Sequence, residues 1–112
     1  MYNTAMPQII ASKDVFYAIA DPTRRELLDR LRSGEQAATQ LCEGLPLSQP
    51  ALSKHLKVLR RADLVSYQRQ GRHRLYRLNP EPLEDVVDWI AHYERFWPEK
   101  LDRLGGYLKR LR

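Results

Sequence analysis

Residues 48–61 read Ser48-Gln49-Pro50-Ala51-Leu52-Ser53-Lys54-His55-Leu56-Lys57-Val58-Leu59-Arg60-Arg61. Taken as a helix, the stretch places Leu52, Leu56 and Leu59 on one face at the i, i+4, i+7 spacing. Gln49, Ser53, Lys54, Lys57 and Arg61 then look outward, and His55 joins them beside Lys54. Ser48 is a suitable N-cap, and Pro50 falls in the first turn, where a missing backbone N–H costs nothing. Such a helix has an apolar back and a front of amide, hydroxyl and ammonium groups near its N-terminus. That front suits insertion into a DNA major groove, with the amide at base edges and the cations at phosphates.

The residues that follow extend the unit. Leu64–Arg69 and His73–Leu78 read as two strands around a tight turn at Gln70-Gly71. Arg69, Arg72 and Arg74 crowd its tip. A basic hairpin directly after a recognition-type helix is the outline of a winged helix-turn-helix.

Charge is distributed accordingly. The chain of 112 residues carries 19 Lys and Arg against 14 Asp and Glu, a formal net charge of +5. Residues 48–78 hold eight basic side chains and one acidic, Asp63, so this segment carries more than the whole excess. A positive footprint on a helix-plus-hairpin unit points to a polyanion partner rather than to a solvated face.

Upstream, residues 12–20 have Val15, Phe16, Ile19 and Ala20 at helical spacing, with Ser12 as cap. Asp21-Pro22 opens a second helix as N-cap and first residue, with Leu27, Leu28 and Leu31 inward and an end near Ser33-Gly34. A third short helix, about residues 37–43, brings Leu41 to the core. Arg24 and Arg25 are assigned to pairing with Glu26 or Asp29 on their own helix, with phosphate contact as the alternative.

From Pro80 the chain becomes a long helical tail. Val86, Ile90, Tyr93, Trp97, Leu101, Leu104, Leu108 and Leu111 recur at three- and four-residue steps, widened by Trp89, Phe96 and Tyr107. A small winged domain cannot cover that stripe alone, and a symmetric homodimer is the commonest way to bury it. Pro98 is expected to kink or break the helix near Trp97, and Gly105-Gly106 to soften its last turns.

The fold expected is therefore mainly α: three helices, the recognition helix, a two-stranded wing and a long C-terminal helix. Residues 1–11 read as a loose leader and 12–112 as a single DNA-binding and dimerisation domain. No run of about 20 apolar residues suggests a membrane span. The N-terminus lacks a signal-peptide pattern, and a lone Cys42 forms no intrachain disulfide. Together these features indicate the cytoplasm. No nucleophile–base pair, phosphate-cradling glycine loop or metal set is present, so catalysis and cofactors are not expected.

Three stretches carry a resemblance to the ArsR/SmtB family of bacterial winged-helix repressors. They are Ala20-Asp21-Pro22-Thr23-Arg24-Arg25 through Leu31, Leu47 through Leu59, and Gly71-Arg72-His73-Arg74-Leu75-Tyr76-Arg77-Leu78. With the tail they cover roughly residues 13–111. The resemblance implies a dimeric repressor on a palindromic operator, released by an effector that the residues do not identify. It places Ser48, Gln49, Ser53, Lys54 and His55 at DNA-reading positions, with the wing residues Arg69, Arg72 and Arg74 on the backbone or minor groove; Lys57, on the outward face of the helix, adds salt-dependent affinity. It also builds the dimer interface from the first and last helices, here Val15, Phe16, Ile19, Trp89, Ile90, Tyr93, Phe96, Trp97, Leu101 and Leu104.

The family's metal patterns are broken. The Cys-x-Cys position reads Cys42-x-Gly44, and the Asp-x-His position reads Ile90-x-His92 with no later histidine. One thiolate or one imidazole cannot complete a tetrahedral N/S set, so no metal site is assigned. Asp88 and His92 at i, i+4 read as a surface hydrogen bond or ion pair. Cys42 reads as a small core residue. Two alternatives stand beside the repressor: a metal- or redox-responsive sensor of the same fold, and a winged-helix module whose tail docks on another protein.

Overall fold

In the computed structural model, residues 14–97 are described. They fall into two compact units, the first ending at Pro82 and the second beginning at Leu83. The leader over 1–11, the Ser12 cap, Leu101, Leu104 and the path through Pro98 and Gly105-Gly106 lie outside the described residues.

The first unit runs α1 Val15–Ile19, α2 Pro22–Leu31, β1 Gln36–Ala37, α3 Ala38–Leu41, α4 Gln49–Arg61, β2 Val65–Gln70 and β3 His73–Leu78. Helix α1 is capped by Asp14, whose carboxylate accepts from the Phe16 amide at 2.9 Å. Asp21 caps α2 in the same way, accepting from Arg24 N at 3.0 Å, with Pro22 in the first turn. Ser48 Oγ accepts from Ala51 N at 3.2 Å to start α4, again with proline in the first turn. At α3 the Gln40 side chain reaches back to the Ala37 amide at 2.9 Å. The second and fourth helices thus begin where the sequence places them, and α2 ends slightly earlier, at Leu31.

The core is one set of apolar side chains drawn from every element of this unit but β1. Val15 and Ala18 of α1 meet Leu27, Leu28 and Leu31 of α2, Leu41 of α3, and Leu52, Leu56 and Leu59 of α4. Leu64, Val65 and Tyr76 close it from the wing. Helix α4 packs on α1, α2 and β2, so its leucine face is fully used inside the unit. Burying a leucine of this kind stabilises by about 1.5–3 kcal/mol.

Helix α4 ends in a Schellman motif. The Leu64 amide donates to Leu59 O and the Asp63 amide to Arg60 O, both at 3.0 Å, with Asp63 left-handed at φ 60°. Leu64 and Leu59 are both fully buried, which is the apolar contact this motif favours. The cap therefore aims the chain into β2.

The sheet differs from a two-stranded wing. It has three strands in the order β1-β3-β2, all antiparallel, with Gln36 opposite Tyr76 and Ala37 opposite Leu75. The sequence places Ala37 in the third helix, about residues 37–43, whereas it pairs in β1; two residues carry no period of their own, and only the edge of β3 makes them a strand. The wing pairs Val65 with Leu78 through Gln70 with His73, so its two-residue loop is Gly71-Arg72, one residue later than Gln70-Gly71. Strand β2 likewise starts at Val65 rather than Leu64.

In the second unit a single-turn 3-10 segment, Glu81–Leu83, leads into α5, Glu84–Ala91, and a second 3-10 turn spans Glu94–Phe96. The helix thus ends well before Trp97, where the sequence places its break. A helix through Glu94 needs an amide donor at position 98, which proline lacks. Glu94 O instead accepts from the Trp97 amide at 3.0 Å, and Trp97 takes the extended conformation (φ −88°, ψ 151°) that a following proline favours. The contraction already begins at His92 and Tyr93, whose amides donate to Trp89 O and Ile90 O. No helix of the described residues is long and apolar enough to cross a membrane.

Asp21 supplies a testable case of the capping energetics. The Arg24 amide it accepts from, followed by the charges of Arg24 and His55, lowers its pKa below the usual 3.8 against an opposing desolvation. A lowered folded pKa means stability present above the unfolded value and lost as pH falls through the folded one. Asp21→Ala should cost about 1 kcal/mol in urea unfolding near pH 7. The gap between the two proteins should close as the pH drops below the ordinary aspartate range.

Candidate nucleic-acid interface

The outward side of α4 follows from its buried side. With Leu52, Leu56 and Leu59 turned in, Ser48, Gln49, Ser53, Lys54, Lys57 and Arg61 are exposed. Apart from the capping role of Ser48, none of their side chains hydrogen-bonds or ion-pairs with a described residue. Donors, acceptors and two ammonium groups therefore stand on one helix face without a partner among the described residues.

The wing adds a second row of charge. Arg69 and Arg74 face each other across β2 and β3, and Arg72 sits in the loop between them. All three are exposed. Two like charges directly opposite on antiparallel strands are unfavourable by about 0.2–1 kcal/mol. Strand alternation puts Arg69 and Arg74 on the same face as Val65, Tyr67 and Tyr76, the face that packs toward α4. Arg77 lies on the other face, where its Nε donates to Ser66 Oγ at 3.3 Å.

Tyr67 links the two rows. Its ring has the Arg74 guanidinium at 4.7 Å and that of Arg60, from the last turn of α4, at 5.1 Å. It also contacts the Tyr76 ring, with centroids 5.3 Å apart. Cation–π attraction of this kind, about 0.5–1 kcal/mol at exposed sites, holds both cations near the junction of helix and wing. The sequence reading singled out neither Tyr67 nor Arg60 for this position.

His55 departs from the sequence reading. It sits at the margin of the outward face, half-buried, with Nδ1 3.3 Å from Arg24 Nη1. Helical geometry explains this: position 55 lies three residues after Leu52 and one before Leu56, so its ring flanks the buried stripe.

Arg24 and Arg25 are also reassigned. Arg24 is only 9% exposed, and it donates through Nε to Ala18 O at 2.7 Å and through Nη2 to Tyr17 O at 3.1 Å. Arg25 Nη1 donates to Ile19 O at 2.8 Å and Ala20 O at 3.3 Å. Neither is an ion-pair partner on its own helix; that place belongs to Arg30, 2.9 Å from Glu26. The two arginines instead donate to the last carbonyls of α1, where a helix runs out of amide partners. The signal available in the sequence was their position, since cations in the first turns of a helix oppose its dipole.

Of the expected interface residues, Val15 is consumed by the core of its own unit, at 5% exposure. Phe16 and Ile19 are half-buried in α1. In the second unit Trp89, Tyr93 and Phe96 are exposed at 51%, 46% and 67%, while Ile90 and Trp97 are half-buried. Trp89 packs edge-on to Tyr93 at 5.4 Å, and Tyr93 lies 6.5 Å from Phe96. They form an aromatic surface across the end of α5 and the 3-10 turn, not a stripe on one continuous helix.

Cys42 is a free, half-buried thiol beyond α3, donating to Thr39 O at 3.4 Å, rather than a core residue. His92 Nδ1 donates to Trp89 O at 3.3 Å. Among the described residues, no three His, Cys, Asp or Glu side chains gather as a metal site would require.

A helix fixed by its leucine face, followed by a basic wing, is the architecture of the winged helix-turn-helix class of DNA-binding transcriptional regulators, which are not enzymes. The bacterial regulatory protein family arsR matches residues 21–67. The chain is 39% identical over 80 residues to the transcriptional repressor SdpR of Bacillus subtilis, spanning 71% of this chain and 89% of that protein. It is 42% identical over 84 residues to the HTH-type transcriptional regulator Rv2034 of Mycobacterium tuberculosis, covering 75% and 76%. Its fold matches the crystal structure of an ArsR family transcriptional regulator with a TM-score of 0.69 at 31% identity, over 80% of this chain and 96% of that one. This chain belongs to the ArsR family.

The wing turn yields a direct test. Gly71 has φ 64°, and Arg72 after it has no positive φ, the pattern of a type II′ hairpin turn. A Cβ at Gly71 would meet nothing within 4 Å, so Gly71→Ala carries backbone strain alone. It should lower unfolding stability by about 1–2 kcal/mol. Denaturant melts check the value, and an unchanged midpoint would contradict this turn geometry.

Proposed function

We propose that the chain is a homodimeric repressor that binds a palindromic operator in the cytoplasm, each protomer placing α4 in one major groove. The observation that carries this reading is the unpartnered row Gln49, Ser53, Lys54 and Lys57 beside the wing arginines. Gln49 and Ser53, with His55 at the margin, supply base-edge contacts, while Lys54, Lys57, Arg69, Arg72 and Arg74 supply charge to phosphates. The helix N-terminus at Ser48 faces the groove. Repression is supported by the related SdpR, itself a transcriptional repressor.

Dimerisation is supported by the exposed Trp89, Tyr93 and Phe96, joined by Ile90, Trp97, Phe16 and Ile19. Leu101 and Leu104 extend the apolar sequence pattern beyond them. Residues 12–112 then act as a single reading and dimerisation domain, and two-fold symmetry sets half-sites about one helical turn apart, near 34–36 Å.

Selection of bound duplexes from a random pool at near-physiological salt tests the reading. An inverted repeat with that spacing, bound by a species of twice the chain mass in light scattering, is expected. A pool that stays random, or a monomer on the selected duplex, overturns it. Gln49→Ala should relax preference at one position of each half-site, costing about 1–3 kcal/mol on the selected duplex. Arg72→Ala should weaken selected and scrambled duplexes alike and reduce the salt slope by about one.

A further inference from the structure

Arg24 joins three elements through one buried guanidinium. It reaches back to the end of α1 through Tyr17 O and Ala18 O, covers the Tyr17 ring at 5.2 Å, and extends Nη1 to His55 on α4. Its own backbone amide is capped by Asp21. A guanidinium has five N–H donors and no acceptor, and it keeps its proton in proteins. The 3.3 Å contact with His55 Nδ1 is therefore a hydrogen bond only if Nδ1 is the bare, accepting nitrogen.

In neutral imidazole the proton then sits on Nε2. Nε2 is the second ring nitrogen, one carbon from Nδ1, and His55 makes no other hydrogen bond to a described residue. We infer that Arg24 is a positioning residue that locks the imidazole of His55 in the Nε2–H tautomer, so that α4 presents DNA with a fixed hydrogen-bond donor beside Lys54. The acceptor it fits is a phosphate oxygen or the N7 or O6 of a purine. The step to DNA rests on the proposed role of α4; the tautomer does not.

The other two histidines provide internal references. His92 Nδ1 faces the Trp89 carbonyl, which only accepts, so His92 is held in the opposite Nδ1–H form. His73 is exposed on the wing with no described side-chain partner.

Long-range 1H–15N correlation on the full chain labelled at histidine, at about pH 8 where an ordinary imidazole is neutral, reads all three. His55 should be more completely Nε2–H than His73, and His92 should show the reverse pattern. In Arg24→Met the His55 signature should relax to that of His73. A His55 tautomer mixture equal to that of His73 in the wild type, or a signature unchanged in folded Arg24→Met, overturns the lock.

For the DNA step, His55→Asn keeps an acceptor near the Nδ1 position but carries nothing at Nε2. It should melt near the wild type and bind the selected duplex about tenfold more weakly. Loss on selected and scrambled duplexes alike assigns the acceptor to phosphate, and loss on the selected one only assigns it to a base edge. A His55→Asn variant that folds and binds like the wild type overturns the donor role. Wild-type protein that prefers no duplex instead overturns the reading of α4, and the NMR arm still decides the lock.

Discussion

Everything about the face that α4 shows to solvent is settled by three leucines on its other side. Leu52, Leu56 and Leu59 are buried at 4% exposure or less against α1, α2 and β2, which fixes the helix in rotation about its axis. With 3.6 residues per turn, that rotation puts Ser53, Lys54 and Lys57 outward and His55 on the margin. The last of these leucines also sets where the wing goes. Leu59 O accepts the Leu64 amide in the Schellman motif, and both leucines are fully buried beside that cap. The solvent face of α4 and the course of the wing are thus two outcomes of one packing constraint.

The helices around α4 are too short to be stable by themselves. Helix α1 has five residues and α3 has four, below the length at which hydrogen bonding offsets nucleation. Arginines of α2 compensate. Arg24 and Arg25 satisfy carbonyls at the end of α1, and Arg30 Nη1 donates to Leu41 O and Glu43 O at the end of α3. The helix that contributes three core leucines also staples its neighbours through their backbone. Arg24 carries the highest stake, since a buried cation without partners would be strongly destabilising.

What could be read from the chain was what depends on near neighbours. The caps at Asp21 and Ser48, the leucine spacing of α4 and the two wing strands are set within a few residues, and the fold class follows from them. The roles of Arg24 and His55 were not legible, because 31 positions separate two groups that meet only after α1, α2 and α4 pack. Strand β1 was hidden for the same reason: Gln36-Ala37 is a strand only through the edge of β3. The end of α5 was legible in kind but misplaced in position. Pro98 marks the break, yet its missing donor acts four residues upstream at Glu94, and the turn tightens earlier still.

The wing shows why stability alone does not explain this charge arrangement. Arg69 opposite Arg74 is a pairing that a hairpin selected only to fold would replace with opposite charges. Tyr67 relieves part of the cost by stacking with Arg74 and Arg60, and it gathers guanidinium groups at the helix–wing junction rather than dispersing them. A phosphate between Arg69 and Arg74 would turn the repulsion into two charge-assisted hydrogen bonds. The energy held in the unbound wing would then be returned, and dissolved ions would compete for the same cations. A polyanion partner held there would couple wing order, affinity and salt dependence through the same two arginines.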